Sequence, residues 1–357
     1  MWENSLTKLL EVRYPIIQAP MAGGVTSSEL VAAVSNSGGL GMIGAGYLSP
    51  SQLRQQIHEI RELTSRNFGV NLFVPSPYNV DEDKINYAKS VLMPLQEGLG
   101  IEGNPSLPSF EADLKTFHEQ VDIIIEEKVP VCSFTFGLPS AEIIAKLKQH
   151  SITLVGTATT VQEAKLNEEA GMDAVVVQGM EAGGHRGTFL GGDQQSLIGL
   201  MSLLPQATDS ISIPIIAAGG IMDGRGVMAA KCLGALGVQM GTAFLVCEES
   251  GANKLHKQAI LEAEEDQTVL TKAFSGKMAR GVNNRFIHKH EQMENHLPAY
   301  PVQNELTKAI RKASAAKGNH EYMSLWSGQS PRLARNITVS ELIGRIISEA
   351  ENLQTHL

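Results

Sequence analysis

Eight short apolar runs rich in Val and Ile recur along the chain, each followed by a turn signal and then a segment of helical period: Ile16–Ala19, Leu40–Gly44, Phe68–Leu72, Pro130–Phe134, Thr153–Thr157, Ala174–Gln178, Ile213–Ala217 and Gly237–Gly241. Apolar residues at successive positions, rather than alternate ones, predict strands covered on both faces, as in a parallel sheet. Five of the seven intervals between run starts are 21–28 residues long, the length of one strand-helix unit. The predicted fold is therefore a (β/α)8 TIM barrel. Helix starts support it: Ser27-Ser28-Glu29, Ser49-Pro50, Pro139-Ser140, and Thr160 with Glu163 as a capping box. The last segment, Val339–Asn352, has the apolar spacing of a closing barrel helix.

Two stretches interrupt the period. Residues 75–108 carry Pro, Gly and Asn through a helix-loop excursion, and residues 247–323 form a longer excursion that reads as helical and charged. The expected organisation is a barrel made of residues 1–74, 109–246 and 324–357, with a small inserted helical lid domain from 75–108 and 247–323.

Of 357 residues, 43% are hydrophobic and 19% charged, which excludes a disordered or fibrous chain. The net charge of −9, without a basic run, argues against nucleic acid as a partner. There is no run of ~18 apolar residues and no basic start leading into an apolar stretch, so neither a membrane span nor secretion is expected. Cys132, Cys232 and Cys247 lack any paired metal spacing and fit a reducing cytoplasm. A monomer or homodimer is expected. The 34 glycines are the unusual feature, and they cluster after the strands.

Barrel chemistry sits on the loops that follow the strands. Gly219-Gly220 ends the seventh run and Gln239-Met240-Gly241-Thr242 the eighth, where barrels hold phosphate on backbone N–H groups, with a helix start at Asp223 nearby. No P-loop and no Gly-x-Gly-x-x-Gly after the first strand is present, so a phosphorylated cofactor lying across a barrel is favoured over a Rossmann dinucleotide. Flavin mononucleotide (FMN) is the candidate. Met21 and Gly23 lie in the loop after the first run; Asn71 and Gln178 end the third and sixth, where carboxamides read a planar ring or cap a strand end. His185, within Gly183-Gly184-His185-Arg186-Gly187, is the one histidine in such a loop and is the candidate catalytic group. Arg186 fits an anionic substrate or a surface ion pair equally well. His288, His290 and Glu291 superficially suggest metal ligands, but alternate helical positions diverge by about 200° and a third strong ligand is missing, so no metal is expected.

Pro15-Ile16-Ile17-Gln18-Ala19-Pro20-Met21-Ala22-Gly23-Gly24, Gly69-Val70-Asn71, Glu181 through Gly187, Ala218-Gly219-Gly220-Ile221 and Gln239 through Thr242 together resemble the nitronate monooxygenases, across essentially the whole chain. The resemblance implies FMN contacts from Asn71, Gln178, Gly183, Gly220, Gln239, Met240, Gly241 and Thr242, a catalytic His185, and oxidation of alkyl nitronates, including propionate 3-nitronate, by molecular oxygen. It places Thr135 where some relatives have a second active-site histidine, and Tyr300 and Lys308 in a substrate-capping segment. A flavin-dependent enoyl-acyl-carrier-protein reductase using NADH shares several of these motifs; the Arg186-Gly187-Thr188-Phe189 continuation and the long excursion favour nitronate oxidation. A flavin-binding protein without turnover is the reading from another class, and the histidine in the loop argues against it.

Overall fold

The computed structural model describes residues 2–103 and 105–356. Its strands, in chain order, are β1 (Ile16–Gln18), β2 (Gly41–Gly44), β3 (Phe68–Phe73), β4 (Val131–Thr135), β5 (Thr153–Ala158), β6 (Ala174–Gln178), β7 (Gly184–His185), β8 (Ile215–Ala218), β9 (Gly237–Met240), β10 (Thr268–Thr271) and β11 (Ala279–Val282). Eight of them form one parallel sheet in the order β1-β9-β8-β6-β5-β4-β3-β2. Gln18 N donates to Leu40 O (3.0 Å) and Leu40 N to Ile16 O (2.9 Å), which joins the two ends of that order and rounds the sheet into a (β/α)8 barrel. The eight expected runs are these eight strands. Three begin later than expected, at Gly41, Val131 and Ile215: Leu40 forms a single bridge with Ile17, and Pro130 and Pro214 have no N–H to give to a ladder.

Strand periodicity divides the core. Ile17, Met42, Val131, Val155, Val176 and Ile216 pack inside the barrel with Leu6 and Leu10 of the helix Ser5–Leu10. The alternate residues face the outer helices: Cys132, Phe134 and Leu154 pack with Ile57, Phe117 and Ile124, and Val175, Val177 and Ile215 with Leu203, Val227 and Ile343. Each fully buried aliphatic side chain of this kind contributes about 1.5–3 kcal/mol of transfer free energy.

Helix starts follow the expected chemistry. Ser27 Oγ accepts from Leu30 N, Ser49 and Gln52 form a reciprocal box with Pro50 in the first turn, and Ser140 Oγ accepts from Ile143 N. The box at Thr160 and Glu163 is half formed. Thr160 Oγ1 accepts from Glu163 N (3.2 Å), but the Glu163 carboxylate, fully buried, accepts instead from Thr159 N, Thr159 Oγ1, Thr188 Oγ1, Phe189 N and Leu190 N at 2.6–2.8 Å. Those donors lie deeper than the cap position and outnumber the single N–H a box would offer.

The two excursions meet in one apolar cluster, where Ile85 and Leu92 of the helix Glu82–Leu99 pack with Phe274, Phe286, Leu306 and Ile310. The second excursion is not helical throughout. β10 and β11 pair antiparallel within it, and β11 pairs with β7, setting Ala279 opposite His185. Both are four-residue strands, too short for a period of two to show against the surrounding helices. Among the described residues, no helix is long and apolar enough to cross a membrane, the three cysteines are free, and no group of side chains has the makings of a metal site.

Candidate active site

Parallel strands put all their C-terminal ends at one mouth, and the sequence-predicted residues gather there in two groups. The first is built mainly from backbone. Gly219 and Gly220 adopt φ of 124° and 69°, a region that disfavours side chains. The N–H groups of Gly220 and Gly241 have no hydrogen-bond partner among the described residues. A segment that the sequence reading missed, Ser327-Gly328-Gln329-Ser330, closes over this group: Gly328 N donates to Thr242 Oγ1 (2.9 Å), Gln329 N to Glu181 O (2.9 Å) and Ser330 Oγ to Gly220 O (3.1 Å). Gly183 is glycine because a Cβ there would lie 2.5 Å from Gly328 N. Asp223 caps the helix Gly224–Cys232 as expected, and the Glu181 carboxylate accepts from Leu200 N at the start of another helix.

Not every residue expected here turns toward the group. Met240 is buried, with its side chain in the outer core, so only its backbone reaches the mouth. Met21 is half-buried, its sulfur 4.0 Å from the position of a Cβ on Gly241. Gln239 is half-buried on β9 opposite Ile17. Gly23 needs glycine for its φ of 88°, and nothing lies within 4 Å of where its Cβ would be.

The second group is built from side chains around His185. Its ring lies 5.3 Å from that of Trp326, 5.9 Å from Tyr300 and 6.0 Å from Phe136. Phe136 follows β4 at φ 73°, an uncommon conformation for a bulky residue, and its ring is shared with Phe73 and Tyr300. His185 Nε2 is 2.8 Å from Ser275 Oγ. Because the Ser275 hydroxyl donates to Lys277 O (3.1 Å), the network assigns the proton to Nε2 and leaves the Nδ1 lone pair free. Burial, reinforced by the charges of Lys277 and Arg311, lowers the His185 pKa from 6.5 to about 3, so the imidazole is neutral at pH 7.

Carboxamides brace the floor between the groups. Asn71 Nδ2 donates to Ser133 Oγ (2.8 Å) and Thr135 Oγ1 (3.1 Å), leaving Oδ1 without a donor among the described residues. Gln178 Nε2 donates to His185 O (3.2 Å) and its Oε1 accepts from Gly187 N (2.8 Å), which fixes the histidine loop. Arg186 fits neither expectation held for it. Fully buried, it donates to the carbonyls of Gly179 (2.6 Å), Gln178 (2.8 Å) and Ser196 (2.8 Å), satisfying backbone that a loop inside the mouth leaves without partners. Lys308 is 67% exposed and pairs with Glu305, whereas Arg311, one turn on, acts on His185 alongside Lys277. Ser275, Lys277, Arg311 and Trp326 were not found from the sequence; their only signal was membership of the long excursion and of the segment after it.

The family model described as nitronate monooxygenase matches residues 3–349. The chain belongs to the nitronate monooxygenase family. It is 52% identical to a probable nitronate monooxygenase of Staphylococcus haemolyticus, covering 99% of both chains, and 52% identical to one of Staphylococcus aureus strain Newman over the full length of both. Among solved structures it is similar to a nitroalkane oxidase from Streptomyces ansochromogenes, at 39% identity and a TM-score of 0.91 over 99% of both chains, and to FabK from Thermotoga maritima, at 33% identity and 0.78 over the whole of each. As a nitronate monooxygenase family member the protein is a flavin-dependent oxidoreductase acting on a small molecule and oxygen. The backbone group suits the phosphate end of such a cofactor: free N–H donors at glycines, a position at Gly220 that a side chain would strain, and no carboxylate accepting from those donors.

Proposed function

We propose that the protein binds FMN non-covalently and oxidises alkyl nitronates, propionate 3-nitronate among them, with molecular oxygen to carbonyl compounds with nitrite or nitrate, a detoxifying activity in the cytoplasm. The observation that carries this reading is His185, held neutral by burial inside a box of Phe136, Tyr300 and Trp326, with no carboxylate within 4 Å of its ring among the described residues, an environment that admits a small anion. The backbone N–H groups of Gly220 and Gly241 and the Thr242 loop would hold the phosphate, with Gly183 and Gly328 closing over it. Asn71 Oδ1 would meet a donor edge of the ring system, Met21 and Gln239 would flank it, and Gln178 would set the histidine loop beside it. The chemistry FMN supplies when bound is electron acceptance from the substrate and the reaction with oxygen.

A nitronate is already deprotonated at carbon, so the chain need not supply a strong base. His185 donates Nδ1–H to the nitronate oxygens when the Ser275 hydroxyl turns from Lys277 O to Nε2, and with the proton on Nε2 its Nδ1 lone pair takes a carbon-bound proton where a neutral nitroalkane is the substrate. Tyr300, Trp326 and Phe136 exclude water around the anion. Residues 75–108 and 247–323, joined by their shared apolar cluster, act as the lid that brings Tyr300 and Ser275 to the mouth. Oxygen uptake with propionate 3-nitronate, with and without NADH, tests the reading. Uptake independent of NADH, by a yellow protein that releases one FMN per chain on denaturation, is expected. NADH-dependent reduction of an enoyl thioester without nitronate oxidation would overturn it in favour of the reductase.

A further inference from the structure

Two lysines on one segment differ in a way the proposed reaction does not explain. Lys272 pairs with Asp193 at 2.5 Å, but Lys277, half-buried, has no carboxylate within 4 Å among the described residues. Lys277 Nζ donates to Thr188 O (2.9 Å) and lies 5.0 Å from the centre of the Phe136 ring. That ring also lies 6.0 Å from His185 and 5.6 Å from Tyr300, so ammonium and imidazole share one aromatic wall. The turn that carries Lys277 is fixed on both sides. Ser275 Oγ meets His185 Nε2 and accepts from Lys277 N (3.3 Å), while Gly276 packs so closely on the Tyr300 segment that a Cβ would lie 2.7 Å from Tyr300 N. An ammonium held in a partly desolvated box by one carbonyl and a ring face has bonding capacity left for an anion.

We propose that Lys277 is a specificity-determining residue that holds a second anionic group of the substrate, the distal carboxylate of a carboxyalkyl nitronate, while His185 serves the nitronate end. The proposal rests on the nitronate reading above. Lysine and histidine both lie against the Phe136 ring, so a short substrate with its nitronate at His185 would reach Lys277 with a distal carboxylate. Simple alkyl nitronates make no use of it.

The test compares FMN-loaded wild type, Lys277→Met, Lys277→Arg and, as a neutralised lysine on the same segment, Lys272→Met, each with propionate 3-nitronate and with ethyl nitronate. Lys277→Met should raise KM for propionate 3-nitronate about 10- to 100-fold, the usual weight of a charge-assisted hydrogen bond, with at most about a threefold rise for ethyl nitronate. Lys277→Arg should recover part of the loss, and Lys272→Met should not reproduce it. A second readout needs no turnover: anaerobic titration of the bound flavin's absorbance with 3-nitropropionate and with 1-nitropropane. Lys277→Met should weaken only the first, by a similar factor. Equal losses for both members of either pair, or none for either, overturns the proposal. If wild type oxidises no nitronate, the functional reading fails while the titration still decides whether Lys277 selects a carboxylate.

Discussion

At the β8 and β9 end of the mouth the working groups are backbone amides on glycines that directly follow a strand; around His185 they are side chains delivered from far along the chain. Gly220 and Gly241 are placed by the barrel itself, two residues and one residue beyond the ends of β8 and β9. Ser275 reaches His185 across 90 positions, and only because β11 pairs with β7. On the proposed reading, a cofactor phosphate would be held by a feature that any sequence with the right glycines would form, whereas substrate choice would be set by the inserted segments, which can change without disturbing the barrel. Binding and chemistry should therefore separate under mutation.

The largest separation is expected at His185. His185→Asn should lower the steady-state rate of nitronate-dependent oxygen uptake by about 10²–10⁴, the range of a positioned acid-base group. Activity on a neutral nitroalkane, which must first lose a carbon-bound proton, should fall further than activity on the preformed nitronate. Gly183→Val strikes the other half. Its Cβ would lie 2.5 Å from Gly328 N and push the closing segment outward, so the FMN dissociation constant, measured by fluorescence of released flavin, should rise about 10- to 100-fold.

Glu163 ties the two halves together, because it accepts five hydrogen bonds and pins Thr188 through Leu190 next to the histidine loop. Glu163→Gln replaces one accepting oxygen by a donor facing N–H and O–H groups. A loss of about 1–3 kcal/mol in urea unfolding is expected, with both FMN affinity and nitronate turnover reduced. The smallest effect belongs to the substrate side alone. His256 Nε2 is 2.9 Å from Trp326 O, and burial lowers its pKa to about 4. A histidine whose native pKa is depressed stays neutral while the unfolded chain takes up a proton below ~6.5, so its contribution is whole above ~6.5 and is lost as pH falls toward 4. The His256 contribution to unfolding stability should fall by about 1–2 kcal/mol between pH 7 and 5, and His256→Asn should lessen the slope by that share while buried His185 keeps its own.

These contrasts also explain what was legible in the sequence. The barrel strands and the glycine loops were, because buried parallel strands and positive-φ turns are local patterns; two of the three shifted strand starts trace to a proline. The His185 loop was, because it directly follows β6. Its partners were not. Ser275, Lys277, Arg311 and Trp326 sit in segments whose local pattern is that of ordinary helix or loop, and pairing of the four-residue strands β10 and β11, not sequence spacing, brings Ser275 and Lys277 to the histidine. Arg186 and Lys308 show the converse. For Arg186 a charge in the histidine loop left substrate contact and a surface ion pair open, and burial sends it to backbone carbonyls; for Lys308 the family resemblance implied a substrate-capping segment, and its exposed side chain pairs with Glu305.

The division between a backbone cradle and a side-chain reaction box is tested most directly by anaerobic stopped-flow on His185→Asn, with its flavin content measured first. The account predicts one FMN per chain, as in wild type, and flavin reduction by propionate 3-nitronate slowed by at least about a hundredfold. Flavin lost from the variant, or reduction at near the wild-type rate with flavin fully bound, would contradict it.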